Sequence, residues 1–217
     1  MLTGKIDHFQ QVTVERYQKL INIVLPIQNG YQRMDGFCTV FHTEDGKVLG
    51  VQFPEVINNT EVFIKLLQFL EGKAKYFERH ELVLAVPIDF SIASLLSYET
   101  NLNKIIDTYS FLRLMIKEDF PNLIDGRLNR LLNQLCKRHT IWLGNLGSGT
   151  RTNLVAVMEG CFEGLVLDNG FSTANRDKAI FPTVIREMRK YTKHMIVPGV
   201  NTGMYQPIRL RHVEKII

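Results

Sequence analysis

The sequence predicts a single α/β domain, built either as a βα barrel or as a doubly wound sheet. The first observation is a set of short apolar runs: Leu82–Val86, Phe111–Ile116, Thr140–Leu143, Gly164–Leu167 and His194–Val197. Their starts lie 29, 29, 24 and 30 residues apart, the length of one strand, one helix and two short connections. The second is that these runs are continuous rather than alternating, as strands covered on both faces of a parallel sheet require. The third is helical periodicity in the stretches between them.

Taken in order, the first 50 residues read as two neighbouring strands, Ile21–Ile27 and Phe37–His42, with Glu44-Asp45-Gly46-Lys47 as a turn. Asn58, followed by Glu61, is a capping box, and Phe63, Leu66, Leu67 and Leu70 make the apolar stripe of the helix it opens. Leu128, Leu131, Leu132 and Leu135 form a second stripe. Val184, Ile185, Met188 and Tyr191 form a third, with Pro182 in its first turn. No linker-like change of composition divides the chain.

Composition narrows the class. The 217 residues are 45% hydrophobic and 22% charged, with 15 Gly and 7 Pro, which excludes disorder and low complexity and fits a soluble globular domain. Cys38, Cys136 and Cys161 are too few and too widely spaced for a disulfide framework and suit a reducing cytoplasm. The N-terminus lacks the pattern of a signal peptide, and no uncharged apolar run is long enough to span a membrane. The net charge of +4 is uneven: residues 176–217 carry +6 and the first 175 carry −2. No aromatic residues interleave the basic tail as stacking platforms would, so it reads as a solvated face rather than a nucleic-acid site.

Candidate chemistry is sparse. Gly144-Asn145-Leu146-Gly147-Ser148-Gly149 follows a strand and could aim backbone N–H groups at a phosphate, yet it lacks the Lys-Ser/Thr of a P-loop and reads first as a tight turn that needs no ligand. His8, His42, His80, His139, His194 and His212 have no metal-ligand spacing. Cys38 has no base nearby, and the carboxylates Glu118 and Asp119 stand just past a strand end, where barrels place reacting groups.

The order of segments resembles the EAL domain, a (β/α)-barrel family of two-metal cyclic di-GMP phosphodiesterases. Ile141–Gly149 is similar to the family's "ALDDFGTG", Leu165–Phe171 to "LKIDRSF", Val197–Thr202 to "AEGVET" and Val24–Ile27 to "YQPI". The resemblance places the signature glutamate on Cys38, the asparagine ligand on Pro87, the "EITE" glutamate on Met115 with Glu118 as its companion, and the two aspartates on Gly144 and Asn145. It places the lysine on Val166 and the glutamate of "AEGVET" on Pro198. Hard divalent cations need several oxygen ligands, which most of these side chains cannot supply.

The resemblance therefore implies one EAL-like domain over residues 1–217, a TIM-barrel variant left incomplete because the C-terminal strand and helix are missing; the open end this leaves either helps form a docking face or is plugged by Met204–Ile217. It implies no enzyme activity, no catalytic, cofactor-binding or metal residues, no cofactor, and neither cyclic di-GMP nor direct DNA binding. Phe120-Pro121-Asn122-Leu123 and Leu143–Gly147 look like the degenerate EAL-like motility regulators of enteric bacteria. Those proteins bind the FlhD subunit of the flagellar activator FlhDC, which makes FlhDC the implied partner and the cytoplasm the implied location. A catalytically dead cyclic di-GMP receptor, with arginines replacing metals at the phosphates, is the alternative.

Overall fold

A computed structural model describes residues 39–42, 48–53, 55–149, 154–198 and 208–209. The predicted strand at Ile21–Ile27, Cys38, and the predicted turn at 44–47 lie outside these residues.

Among the described residues, eight strands share one sheet: β1 (Thr39–His42), β2 (Val48–Gln52), β3 (Val83–Pro87), β4 (Leu112–Lys117), β5 (Ile141–Leu146), β6 (Gly164–Leu167), β7 (His194–Ile196) and β8 (Ile208–Arg209). Their order is β7-β6-β5-β4-β3-β2-β1-β8. From β2 to β7 every pairing is parallel, whereas β1 runs antiparallel to both β2 and β8. Of the predicted plug Met204–Ile217, the described residues Ile208 and Arg209 thus lie along the β1 edge.

The helices α1 (Thr60–Glu71), α2 (Ala74–Arg79), α3 (Phe90–Tyr98), α4 (Thr100–Ile106), α5 (Arg130–Arg138), α6 (Leu154–Met158), α7 (Asn169–Asn175) and α8 (Phe181–Met188) fill the crossovers. A 3₁₀ segment, Leu123–Leu128, precedes α5.

Side-chain alternation divides the core in two. Leu84, Val86, Leu112, Leu114, Ile116, Ile141, Leu143, Leu165, Leu167, Met195 and Val197 point outward and pack under the helices. Phe41, Val83, Ala85, Met115, Trp142, Val166 and Ile196 point the other way and pack on one another. Phe41 on β1 and Trp142 on β5 are separated by three strands, yet their ring centroids are 5.4 Å apart. A flat sheet would hold strands four places apart at nearly 20 Å, so the sheet curls around this inner cluster. Among the described residues the architecture is an incomplete, largely parallel barrel, with β7 and β8 at the two ends of the strand order.

Three local expectations need correction. The cap of α1 is Asn59, not Asn58: its side chain accepts the Glu61 and Val62 N–H groups at 2.8 and 3.2 Å. Leu128 is not part of the α5 stripe. Asn129 caps that helix by accepting the Leu132 N–H, which leaves Leu128 before it and 86% exposed. In α8, the buried face is Phe181 and Ile185, while Tyr191 lies in a following 3₁₀ turn.

Candidate functional site: the C-terminal end of the barrel

In a βα barrel, side chains at the C-terminal strand ends line the place where chemistry occurs. Here β3 ends in Pro87, which is buried and offers only a backbone carbonyl, already accepting the Ile57 N–H at 2.8 Å. Met115, on β4, is buried among Phe41, Trp142, Val166 and Ile196. On β5, a Cβ added at Gly144 would meet the Met115 Sδ at 2.7 Å. The thioether therefore takes the space that a side chain at 144 would need. Val166 joins the same apolar cluster, and Pro198 is buried just beyond β7. Cys38 lies outside the described residues.

The glycine-rich segment differs from its sequence reading. Strand β5 continues through Gly144, Asn145 and Leu146, so the turn proper is Gly147-Ser148-Gly149. Gly147 adopts φ +94°, and a Cβ there would fall 2.6 Å from Phe171 Cγ, so both backbone and packing demand glycine. The turn does aim N–H groups at an anion, but that anion belongs to the protein. Glu118 Oε2 accepts the N–H groups of Gly147 at 3.0 Å and Gly149 at 2.9 Å, and the Ser148 hydroxyl at 3.3 Å. The pair Glu118-Asp119 is thereby split: Glu118 is buried against the turn and Asp119 faces solvent.

This donor set does not fit a pair of divalent cations. Pro87, Met115, Gly144, Val166 and Pro198 carry no side-chain oxygen, the exposed Asn145 carries one amide, and Glu118 is engaged with the turn. Among the described residues, no group of three or more His, Cys, Asp or Glu is placed to hold a metal ion. Likewise, no described helix is long and apolar enough to cross a membrane.

Sequence reasoning missed two polar clusters because their partners are remote in the chain. Glu163, at the start of β6, accepts from Arg113 Nε at 2.6 Å and from the Trp142 indole N–H at 3.0 Å. Burial works to raise this carboxyl, but the Trp142 and Arg113 hydrogen bonds, the Arg113 charge and His194 hold it below the ordinary range. Its backbone carbonyl also accepts from Thr192, Lys193 and His194, which ties β6 to the entry of β7. The second cluster lies under α3, α4 and α5. The Asn103 amide donates to the Leu96 carbonyl at 2.7 Å, and its oxygen lies 2.7 Å from His139 Nε2. Burial pulls the His139 imidazolium down to about 4, against the pull of Asp107. His139 is thus a neutral packing residue rather than a ligand, while His80 is exposed beside Tyr76.

No protein-family profile matches the chain. The YdiV protein of Escherichia coli K12 is 30% identical over 172 residues, covering 76% of this chain and 72% of its own length. The anti-FlhC(2)FlhD(4) factor YdiV of Salmonella arizonae is 25% identical over 193 residues, covering 83% of this chain and 81% of that protein. Among solved structures, the EAL-like domain protein YdiV superposes with a TM-score of 0.64 and 25% identity, over 77% of this chain and 82% of that one. The EAL enzyme Bd1971 superposes with a TM-score of 0.58 but only 12% identity, over 92% of this chain and 67% of that one, which speaks to the fold alone.

Proposed function

This chain belongs to the YdiV family of EAL-like domain proteins, and from that premise we propose that it is a non-catalytic anti-FlhC(2)FlhD(4) factor. In this reading it acts as one domain in the cytoplasm. It binds the FlhD subunit of the flagellar activator FlhDC and represses flagellar gene expression and motility. Neither cyclic di-GMP nor DNA is its ligand, and it does not associate with membranes.

The observation that supports this most is the Met115 thioether packed into the space beside Gly144. Two-metal phosphodiester hydrolysis needs carboxylates that hold two cations about 4 Å apart and a bound water between them. A barrel end filled by sulfur and methyl groups offers neither the charge nor the room. Glu118 supports it from the other side, since it already takes the backbone donors that a phosphate would seek. With Met115, Trp142 and Val166 packed in the barrel interior, this reading assigns recognition to the outer surface, where an ordinary protein interface buries about 1,200–2,000 Å².

The test is size-exclusion chromatography of the purified chain with FlhD alone, FlhC alone and FlhDC. Co-elution with FlhD and FlhDC, but not with FlhC, is the expected outcome. If FlhD is not retained at micromolar concentrations, the partner assignment falls while the fold stands.

A further inference from the structure

Leu128, left outside α5 by the Asn129 cap, has three large apolar neighbours that are also open to solvent. Ile124 is 51% exposed, Val155 45% and Met158 57%. Ile124 and Leu128 stand on either side of Gly126 in the 3₁₀ segment, while Val155 and Met158, three positions apart, share one face of α6. Gly126 brings the two elements together. A Cβ there would run into the Glu159 carboxylate and stand 3.1 Å from Val155 Cγ1. The segment is tied at both ends. Asn129 Nδ2 donates to the carbonyls of Pro121 at 2.9 Å and Asn122 at 3.2 Å. Arg127 donates its backbone N–H to Glu159 Oε2 and its Nε to the Glu159 carbonyl at 3.1 Å. Hydrogen bonds thus fix a backbone from which apolar side chains project into water, an arrangement already ordered for contact.

We propose that Ile124, Leu128, Val155 and Met158 are the docking surface for FlhD, and that Arg127 and Arg130 meet acidic side chains around an apolar contact on that subunit. The proposal rests on the FlhDC reading above and adds the face through which the contact is made. Charge fixes the chemistry of the partner. Arg127 and Arg130 flank Leu128 and are both exposed, and α5, which continues from them, carries no acidic side chain. Asp125 is the acidic residue of the 3₁₀ segment, and Glu159 turns one carboxylate oxygen to the Arg127 backbone. An apolar centre with an arginine border is the composition of a protein interface, in which Met and Arg are enriched. Its complement is an apolar surface with an acidic border. A folded monomer seldom leaves a larger apolar patch than this uncovered.

The test titrates FlhD into the full-length chain and its variants by calorimetry. Leu128→Ala/Met158→Ala should weaken binding by at least about tenfold, with the thermal melt unchanged because both side chains face water. Ile64→Ala/Tyr98→Ala, which trims exposed apolar groups elsewhere, should bind as the parent does. Arg130→Glu should also weaken binding, and its affinity should fall less than the parent's between about 50 and 300 mM NaCl. If the parent binds FlhD and the Leu128/Met158 variant binds it equally well, the surface is wrong while the FlhDC reading stands. If the parent itself does not bind FlhD, both fall. A parent that sediments as a dimer, and a Leu128/Met158 variant that sediments as a monomer with its FlhD affinity intact, would assign the patch to a second copy of this chain and overturn the proposal.

Discussion

Glu118 Oε2 accepts the backbone N–H of Gly147 at 3.0 Å, so the end of β4 is joined to the turn after β5 by a carboxylate that the chain supplies itself. Hydrogen bonds to a buried charged acceptor contribute roughly 1.5–3 kcal/mol, and three donors converge here. Glu118→Ala should lower unfolding stability by about 2 kcal/mol in urea melts, with Glu118→Gln less harmful. A variant as stable as the parent would show the turn to be indifferent to its carboxylate.

The same contact predicts what cyclic di-GMP does. Titration of the nucleotide into the full chain, with or without Mg²⁺ or Mn²⁺, should release no heat of binding, and incubation should yield no linear product above background. Turnover in the Mn²⁺ reaction would restore an enzymatic reading.

Gly144→Ala places a methyl group against the Met115 sulfur, where a Cβ would stand at 2.7 Å. Overpacking of this kind costs about 1–3 kcal/mol, and trimming the neighbour should recover part of it. The double variant Gly144→Ala/Met115→Ala should therefore be less destabilised than the sum of its two parents, with a coupling of about 1 kcal/mol or more in a double-mutant cycle. Strict additivity would separate the two side chains.

Acid should weaken the fold through His139. Its folded value of about 4 lies below the ordinary 6.5, so the fold favours the neutral ring. The associated stability is fully present above about pH 6.5 and is lost as pH falls toward 4, by up to roughly 3 kcal/mol. His139→Gln should flatten this part of the stability profile relative to wild type when urea melts at pH 7 and pH 4.5 are compared. Parallel profiles for the two proteins would remove His139 from the account.

Much of the scaffold was legible because it rests on local signals. Leu82–Val86 and Gly164–Leu167 are continuous apolar runs, and both became inner strands within a residue of the expected bounds. Strand β2 was not foreseen. Gly50 breaks its apolar pattern, and the reason is tertiary: a Cβ there would lie 2.0 Å from the Val83 carbonyl oxygen. Asn58 and Asn59 are adjacent and chemically alike, so only the geometry of the Glu61 and Val62 N–H groups chooses between them. The glycine-rich segment was read first as a tight turn needing no ligand, with an anion cradle as the alternative, and its N–H groups meet a carboxylate of the chain itself. That occupant was not legible, because Glu118 and Gly147 lie 29 residues apart and nothing in spacing links them.

The sulfur of Met115 against the bare α-carbon of Gly144 also constrains which variants of this protein are reachable by single steps. An acidic residue introduced at either position alone meets a closed, oily wall or a clash, and the chain weakens before any cation has a second ligand to hold. Any route to metal chemistry must change several positions together, because each single change meets the same packed wall. Such a landscape works as a ratchet, closing the barrel interior to single steps while the exterior stays free to vary.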